Sequence, residues 1–122
     1  MSRKIEDLSP PMALKAKAWE LAMESEKINY IITCTKRTEA EQAALYAQGR
    51  TKPGPIVTWT MYSKHLTGDA FDFVIMFGGK PDWAMHHKDL WAKAIDIGKM
   101  LGLRQVINHD GGIMEYSHLQ IS

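Results

Sequence analysis

Cysteine is almost absent from this chain: Cys34 is its single example. One cysteine makes no intramolecular disulfide, so a disulfide scaffold is excluded. A chain of 122 residues is long enough to bury a core without one. Cys34 closes the apolar run Tyr30-Ile31-Ile32-Thr33-Cys34 and reads as a small buried hydrophobe. Its neighbours in sequence supply no base for a thiol nucleophile. Long apolar runs are also missing; nothing approaches the roughly 18 residues of a membrane helix. The basic start Met1-Ser2-Arg3-Lys4 has no apolar stretch behind it, so no secretory signal is expected. Charge of one sign is scarce: Lys and Arg number 15 against 14 Asp and Glu, a net +1. That balance excludes a nucleic-acid binder relying on a basic field, an acidic tail and a polybasic membrane anchor. With no internal repeat and no low-complexity segment, a single domain over residues 1–122 is expected.

What is present reads as short alternating elements. Ser9-Pro10-Pro11 signals a helix start, since proline is tolerated in the first turn. Met12, Ala16, Trp19 and Met23 then form one apolar face, and Lys27-Ile28-Asn29 ends the helix. Tyr30 to Cys34 predicts a buried strand. Thr38-Glu39-Ala40-Glu41 is a capping box before Ala44, Leu45 and Ala47, predicting a helix from Glu39 to Gln48 that stops at Gly49. Residues 49–68, rich in Gly, Pro and Thr, predict a long irregular connection, and such loops are commonly functional. Ala70 to Phe77 predicts a second strand and Gly78-Gly79-Lys80-Pro81-Asp82 a turn. A third helix is expected from His86 to Leu101, with Leu90, Ala94, Ile97 and Leu101 inward and Gly102 as C-cap. Leu103 to Ile107 is a strand candidate, Asn108 to Gly112 a turn and Ser117 to Ile121 the last strand. The order is not strictly βαβ, which predicts α+β with a small antiparallel sheet and about three helices.

Two segments could carry chemistry. The first is Ser63-Lys64-His65-Leu66-Thr67-Gly68-Asp69-Ala70-Phe71-Asp72. Asp72 lies among apolar residues, where a carboxylate is costly to bury unless paired or metal-bound. The offset from His65 would put the two on opposite faces of a straight strand, so convergence requires a turn near Gly68. The second segment is Glu115-Tyr116-Ser117-His118. His65, Asp72 and His118 together would have the composition of a catalytic zinc site with one open position. Glu115, three residues before His118, could then act as general base. The plainer alternative is an exposed loop histidine and an aspartate paired with arginine. His86 and His87 read as solvated, and His109-Asp110 sits in a turn rather than on a helix.

The pattern Ser63-x-His65-x-x-Gly68-x-Ala70-x-Asp72, followed by Glu115-x-x-His118, resembles the zinc D-Ala-D-Ala carboxypeptidase and L-alanyl-D-glutamate peptidase group. That group shares its fold with the hedgehog signalling domain. The stretch from Arg37 to Gly54 is similar to the corresponding segment of phage endolysins in the group. The resemblance runs from about Leu8 to Gln120. It implies zinc on His65, Asp72 and His118, Glu115 as catalytic base and Arg37 on the carbonyl oxygen of the scissile bond. Ser63 is expected to support the site or the substrate. Arg50, with Lys52 on the long loop, is expected to meet stem-peptide carboxylates. Two positions depart from the group: no Trp-Gly-Gly segment precedes the last motif, and Ser117 stands where proline is common.

The implied function is that of an endolysin, a zinc peptidase hydrolysing a peptidoglycan stem-peptide bond, L-alanyl-D-glutamate in the first instance. A D,D-carboxypeptidase and a non-catalytic zinc-containing wall-binding module are the alternatives. The expected partner is the stem peptide, with no nucleic acid, no membrane and a monomeric chain. The expected location is the host cytoplasm before lysis, with a holin-like protein giving access to the wall.

Overall fold

Ser9 precedes two prolines whose fixed φ suits a first helical turn, and helix α1 runs Pro10–Ser25. The computed structural model describes residues 1–58, 61–106 and 116–121. The expected inward face of α1 is the observed one: Met12, Ala16, Trp19 and Met23 are each fully buried. Strand β1 follows at Tyr30–Cys34. Helix α2, Glu39–Ala47, starts at a complete capping box between Thr38 and Glu41. Strand β2 is Ala70–Phe77. Gly78 and Gly79 then turn the chain, and Lys80–Pro81 forms the short strand β3, so the expected turn is a hairpin with its own strand. Helix α3 is Lys88–Met100 and strand β4 is His118–Gln120.

β2 is the axis of the sheet. β1 pairs with it antiparallel on one side; β3 and β4 pair with it antiparallel on the other. Side chains alternate along a strand, and the odd positions Phe71, Phe73 and Ile75 enter the core while Asp72 points away. The Trp19 ring lies 4.9 Å from Tyr30 and 5.0 Å from Phe71 and Phe73. Its Nε1–H donates to the Ala94 carbonyl at 2.9 Å, so the one polar atom of this buried ring is satisfied.

Helix α3 turns a different face inward from the one expected. Trp91, Ala94, Ile95 and Gly98 are buried, while Leu90, Ile97 and Leu101 are only partly covered. Two contacts set this rotation. The Trp91 indole packs on Phe73 at 5.5 Å and its Nε1–H donates to Asp82 at 3.1 Å. At Gly98 the backbone comes so close to β4 that a Cβ would sit 2.8 Å from Leu119 Cδ1. Asp82 also accepts the His86 and His87 backbone N–H groups, each at 3.0 Å, satisfying donors that a helix start leaves open. His87 is half-buried and stacks on Phe77 at 3.8 Å. Of the expected strand after Gly102, the described residues show a single bridge, Arg104 to Gln120.

Candidate metal centre

Strand register creates the site. Asp72 pairs with Cys34 across β1 and with His118 across β4, so one row of the sheet reads Cys34, Asp72, His118. The β1 register shifts between Ile32 and Cys34. An inserted residue of this kind reverses the facing of the residues beyond it, and Cys34 leaves the core side for the side of Asp72. His65 arrives from a different element. It lies in a 3-10 turn, Lys64–Leu66, whose first N–H groups are capped by the Ser63 hydroxyl, which accepts from the His65 backbone N–H at 3.2 Å. Gly68 then reverses the chain at φ 74, as convergence of His65 and Asp72 requires. The turn is anchored to α1: Ser9 N–H donates to the Gly68 carbonyl at 3.0 Å and Ser9 Oγ to Asp69 at 2.6 Å. Thr67 Oγ1 donates to the other Asp69 oxygen at 2.6 Å, and these hydroxyls hold the Asp69 carboxyl below its usual range.

Both imidazoles meet one oxygen. His65 Nε2 is 3.1 Å and His118 Nδ1 2.9 Å from Asp72 Oδ1, and the rings stand edge to face at 5.0 Å. Their outer nitrogens are tied down. His65 Nδ1 is 2.7 Å from the Thr35 carbonyl; a carbonyl only accepts, so Nδ1 carries the proton and Nε2 keeps its lone pair. His118 Nε2 donates to Gln120 Oε1 at 2.9 Å, leaving its Nδ1 lone pair toward Asp72. His65 and His118 are buried at 1% and 5% exposure. His65 Nε2 has no hydrogen-bond partner among the described residues. With the outer nitrogens protonated toward these oxygens, the inner nitrogens would turn their lone pairs to the Asp72 carboxylate, an arrangement that calls for a cation between them, metal or proton.

In a metal-free chain a proton answers the same demand. Burial alone would disfavour the charged His65 ring, yet the Asp72 carboxylate, and Cys34 beside it, push its pKa upward. Burial likewise would raise Asp72, but His118 and His65 hold its carboxyl well below the usual range. The donor set fits zinc better than a proton. Two imidazole nitrogens and one carboxylate oxygen are a common catalytic zinc set, and ligand atoms around tetrahedral zinc stand about 3.3 Å apart. Outer N–H groups fixed by a carbonyl and an amide are the usual support for ligating histidines.

Cys34, His65 and Asp72 also offer three donor atoms within 4.8 Å of one another. Cys34 Sγ, however, faces His65 Nδ1, at 3.7 Å, the nitrogen already protonated toward Thr35. It stands behind the histidine, whereas His118 faces the oxygen that His65 Nε2 faces. Cys34 is buried as expected, but sequence reading did not show its place beside an imidazole.

Arg37 borders the same carboxylate. Its backbone N–H donates to the His65 carbonyl at 3.0 Å, and its Nη2 lies 3.8 Å from Asp72 Oδ2 and 3.6 Å from Cys34 Sγ. Nε faces the Met1 thioether at 3.1 Å, and Nη1 donates to Gln42 Oε1 at 2.7 Å. Arg50 ties the loop to the end of α2: its guanidinium covers the Tyr46 ring at 3.9 Å and donates to the Tyr46 and Thr58 carbonyls at 2.5 and 3.2 Å. Glu115 lies outside the described residues, as do Trp59 and the His109-Asp110 pair. Sequence reading missed Gln42, Gln120 and the Thr35 carbonyl. Gln120 was findable, two residues beyond His118 on the same strand face. A surface cavity of about 970 Å³ lies by α1 and β1, lined by Glu20, Glu24 and Tyr30 among others, and includes none of the residues of the site.

No family model matches the chain. The peptidoglycan L-alanyl-D-glutamate endopeptidase CwlK of Bacillus subtilis is 34% identical over 94% of this chain and 74% of its own length. The chain belongs to the L-alanyl-D-glutamate peptidase family. A second member, the L-alanyl-D-glutamate peptidase of a Listeria phage, is 32% identical over 98% of this chain, which spans 38% of that protein. Among solved structures, the Serratia marcescens L-Ala D-Glu endopeptidase ChiX superposes with a TM-score of 0.67 at 18% identity, over 97% of this chain and 83% of that one. The vancomycin-resistance D,D-dipeptidase VanXYg does so with a TM-score of 0.68 at 17% identity, over 93% and 50%. The family fold is α+β with the small antiparallel sheet expected from sequence, and this chain has it.

Proposed function

We propose that the chain is a zinc-dependent peptidoglycan endopeptidase of the endolysin type, hydrolysing the L-alanyl-D-glutamate bond of the stem peptide. The observation that carries this reading is the convergence of two tautomer-fixed imidazoles on Asp72 Oδ1, one with a buried lone pair lacking any hydrogen-bond partner among the described residues. His65, Asp72 and His118 would hold the metal. Zinc in such a site polarises a carbonyl and lowers the pKa of water to about 7. Glu115 would take the proton of the attacking water and pass it to the leaving amine. Arg37, whose guanidinium is already fixed beside Asp72, would donate to the carbonyl oxygen as charge develops there. Losing one such donor typically costs about 10²–10³ in turnover. Ser63 supports the site through its cap on the His65 turn. Both curated relatives are named for the L-alanyl-D-glutamate bond, which favours it over D,D cleavage.

As an endolysin the enzyme would wait in the host cytoplasm as a monomer until a holin-like protein opens the inner membrane. The test is zinc content together with product analysis. Purified protein should carry about one zinc per chain, and His65→Ala or His118→Ala should lose both metal and hydrolysis. Mass spectrometry should find fragments ending at L-alanine. Release of free D-alanine instead would make the enzyme a D,D-carboxypeptidase, and full hydrolysis with a chelator present would end the zinc reading.

A further inference from the structure

Helix α2 buries a single residue, and it is polar: Gln42, at 0% exposure. Its flanking apolar positions, Ala44 and Leu45, remain exposed or half-exposed. Burying an amide is costly unless both ends are hydrogen-bonded, and an apolar side chain would fasten the helix at less cost. The amide here is bonded at both ends. Oε1 accepts from Arg37 Nη1 at 2.7 Å, and Nε2 donates to Thr58 Oγ1 at 3.4 Å. Thr58 belongs to the long loop, and its carbonyl accepts from Arg50. Gln42 therefore joins the loop to the guanidinium that lies beside Asp72.

We propose that Gln42 is the positioning residue of Arg37, holding the plane of the guanidinium so that Nη2 is presented at the metal centre, and that the loop fixes Gln42 through Thr58. A guanidinium rotates about its terminal bonds, and its charge alone does not set its direction. The bond at Nη1 removes that freedom. Cys34 and Asp72 lie on the Nη2 side, so one strong acceptor at Nη1 orients the whole fork. Gln42 does not touch the reacting atoms and acts through Arg37. The inference rests on the proposed role of Arg37 for its kinetic arm, and not for its spectroscopic arm.

The experiment uses the full chain loaded with zinc. Nitrogen-15 spectra of arginine side chains, with Arg37 assigned from the Arg37→Lys spectrum, should show hindered rotation at Arg37 Nη1. Gln42→Leu should abolish it, and Gln42→Glu, which keeps an acceptor oxygen, should restore it. In hydrolysis of purified peptidoglycan, Gln42→Leu should lower kcat/KM by about tenfold or more, mostly in kcat, with zinc content unchanged. In an Arg37→Ala background the same substitution should cost nothing further. Should Gln42→Leu fail to fold, Gln42→Asn, which withdraws the acceptor by one methylene, takes its place with the same expectations. Free rotation of Arg37 in the wild-type chain, or a Gln42→Leu loss that multiplies in full onto that of Arg37→Ala, overturns the proposal. A wild-type chain that cuts no peptidoglycan would sink the functional reading, while the spectra still decide the role of Gln42.

Discussion

At the scale of single residues, the proposed mechanism separates holding a metal from moving a proton. His65, Asp72 and His118 meet at one oxygen, with the outer nitrogen of each ring committed elsewhere. Glu115 has no part in that cluster in the functional reading; its task is to accept a proton. Glu115→Gln keeps the size of the side chain and removes the base. The variant should fold, retain zinc and lose nearly all turnover. Loss of zinc in the same variant would make Glu115 a ligand and require one of the other three to be reassigned. Metal analysis beside a hydrolysis assay on one preparation separates the two outcomes. The convergence of these three side chains was legible in the chain because the motif spacing marks them. Their tautomers were not, because these depend on Thr35 and Gln120, which carry no motif.

At the scale of elements, one device places the site and another anchors helix α3, and each can be broken alone. The first is the Gly68 turn between His65 and Asp72. Gly68 has φ 74, and a Cβ there would lie 2.8 Å from the Ser9 backbone nitrogen. Gly68→Ala should therefore cost about 1–3 kcal/mol of stability and lower zinc content, since the turn sets the distance between two of the proposed ligands. A calorimetric melt and a metal assay check this, and unchanged values for both would remove the turn from the account. The second device is Asp82 at the start of α3. Burial would raise its carboxyl, but the His87 and His86 N–H groups and the Trp91 indole hold it down to about 2, against an ordinary 3.8. A carboxyl depressed in the folded state stabilises above its unfolded pKa, and the effect fades as pH falls through the folded value. Asp82→Asn should thus melt lower than wild type at pH 6. The gap should close as pH falls from about 4 toward 2, and a gap independent of pH would show that the charge contributes nothing.

At the scale of the whole molecule, the proposed zinc would couple to stability. A ligand that binds only the folded chain stabilises it by mass action, about 2.7 kcal/mol at a hundredfold excess over Kd. Chelation should lower Tm, and added zinc should restore it; a Tm indifferent to chelator would mean that the centre is held without metal. No helix among the described residues is long and apolar enough to cross a membrane. Expression alone should leave host cells intact, with lysis only once the inner membrane is permeabilised.

Local chemistry determined most of the architecture. The inward face of α1, the capping box of α2 and the spans of β1 and β2 depend on residues within about four positions of each other, and such patterns are written in sequence. The motif likewise marked His65, Asp72 and His118, together with the turn needed between the first two. Only the tertiary structure decided the rest. The face of α3 rotated because Trp91 found Asp82 and Phe73, and because Gly98 met Leu119. Cys34 reached the site because β1 bulges where it meets β2. Gln42 became buried because Arg37 and Thr58 closed on it from two other segments. Each of these depends on register and contact between different elements or across a turn, where side-chain periodicity carries no information.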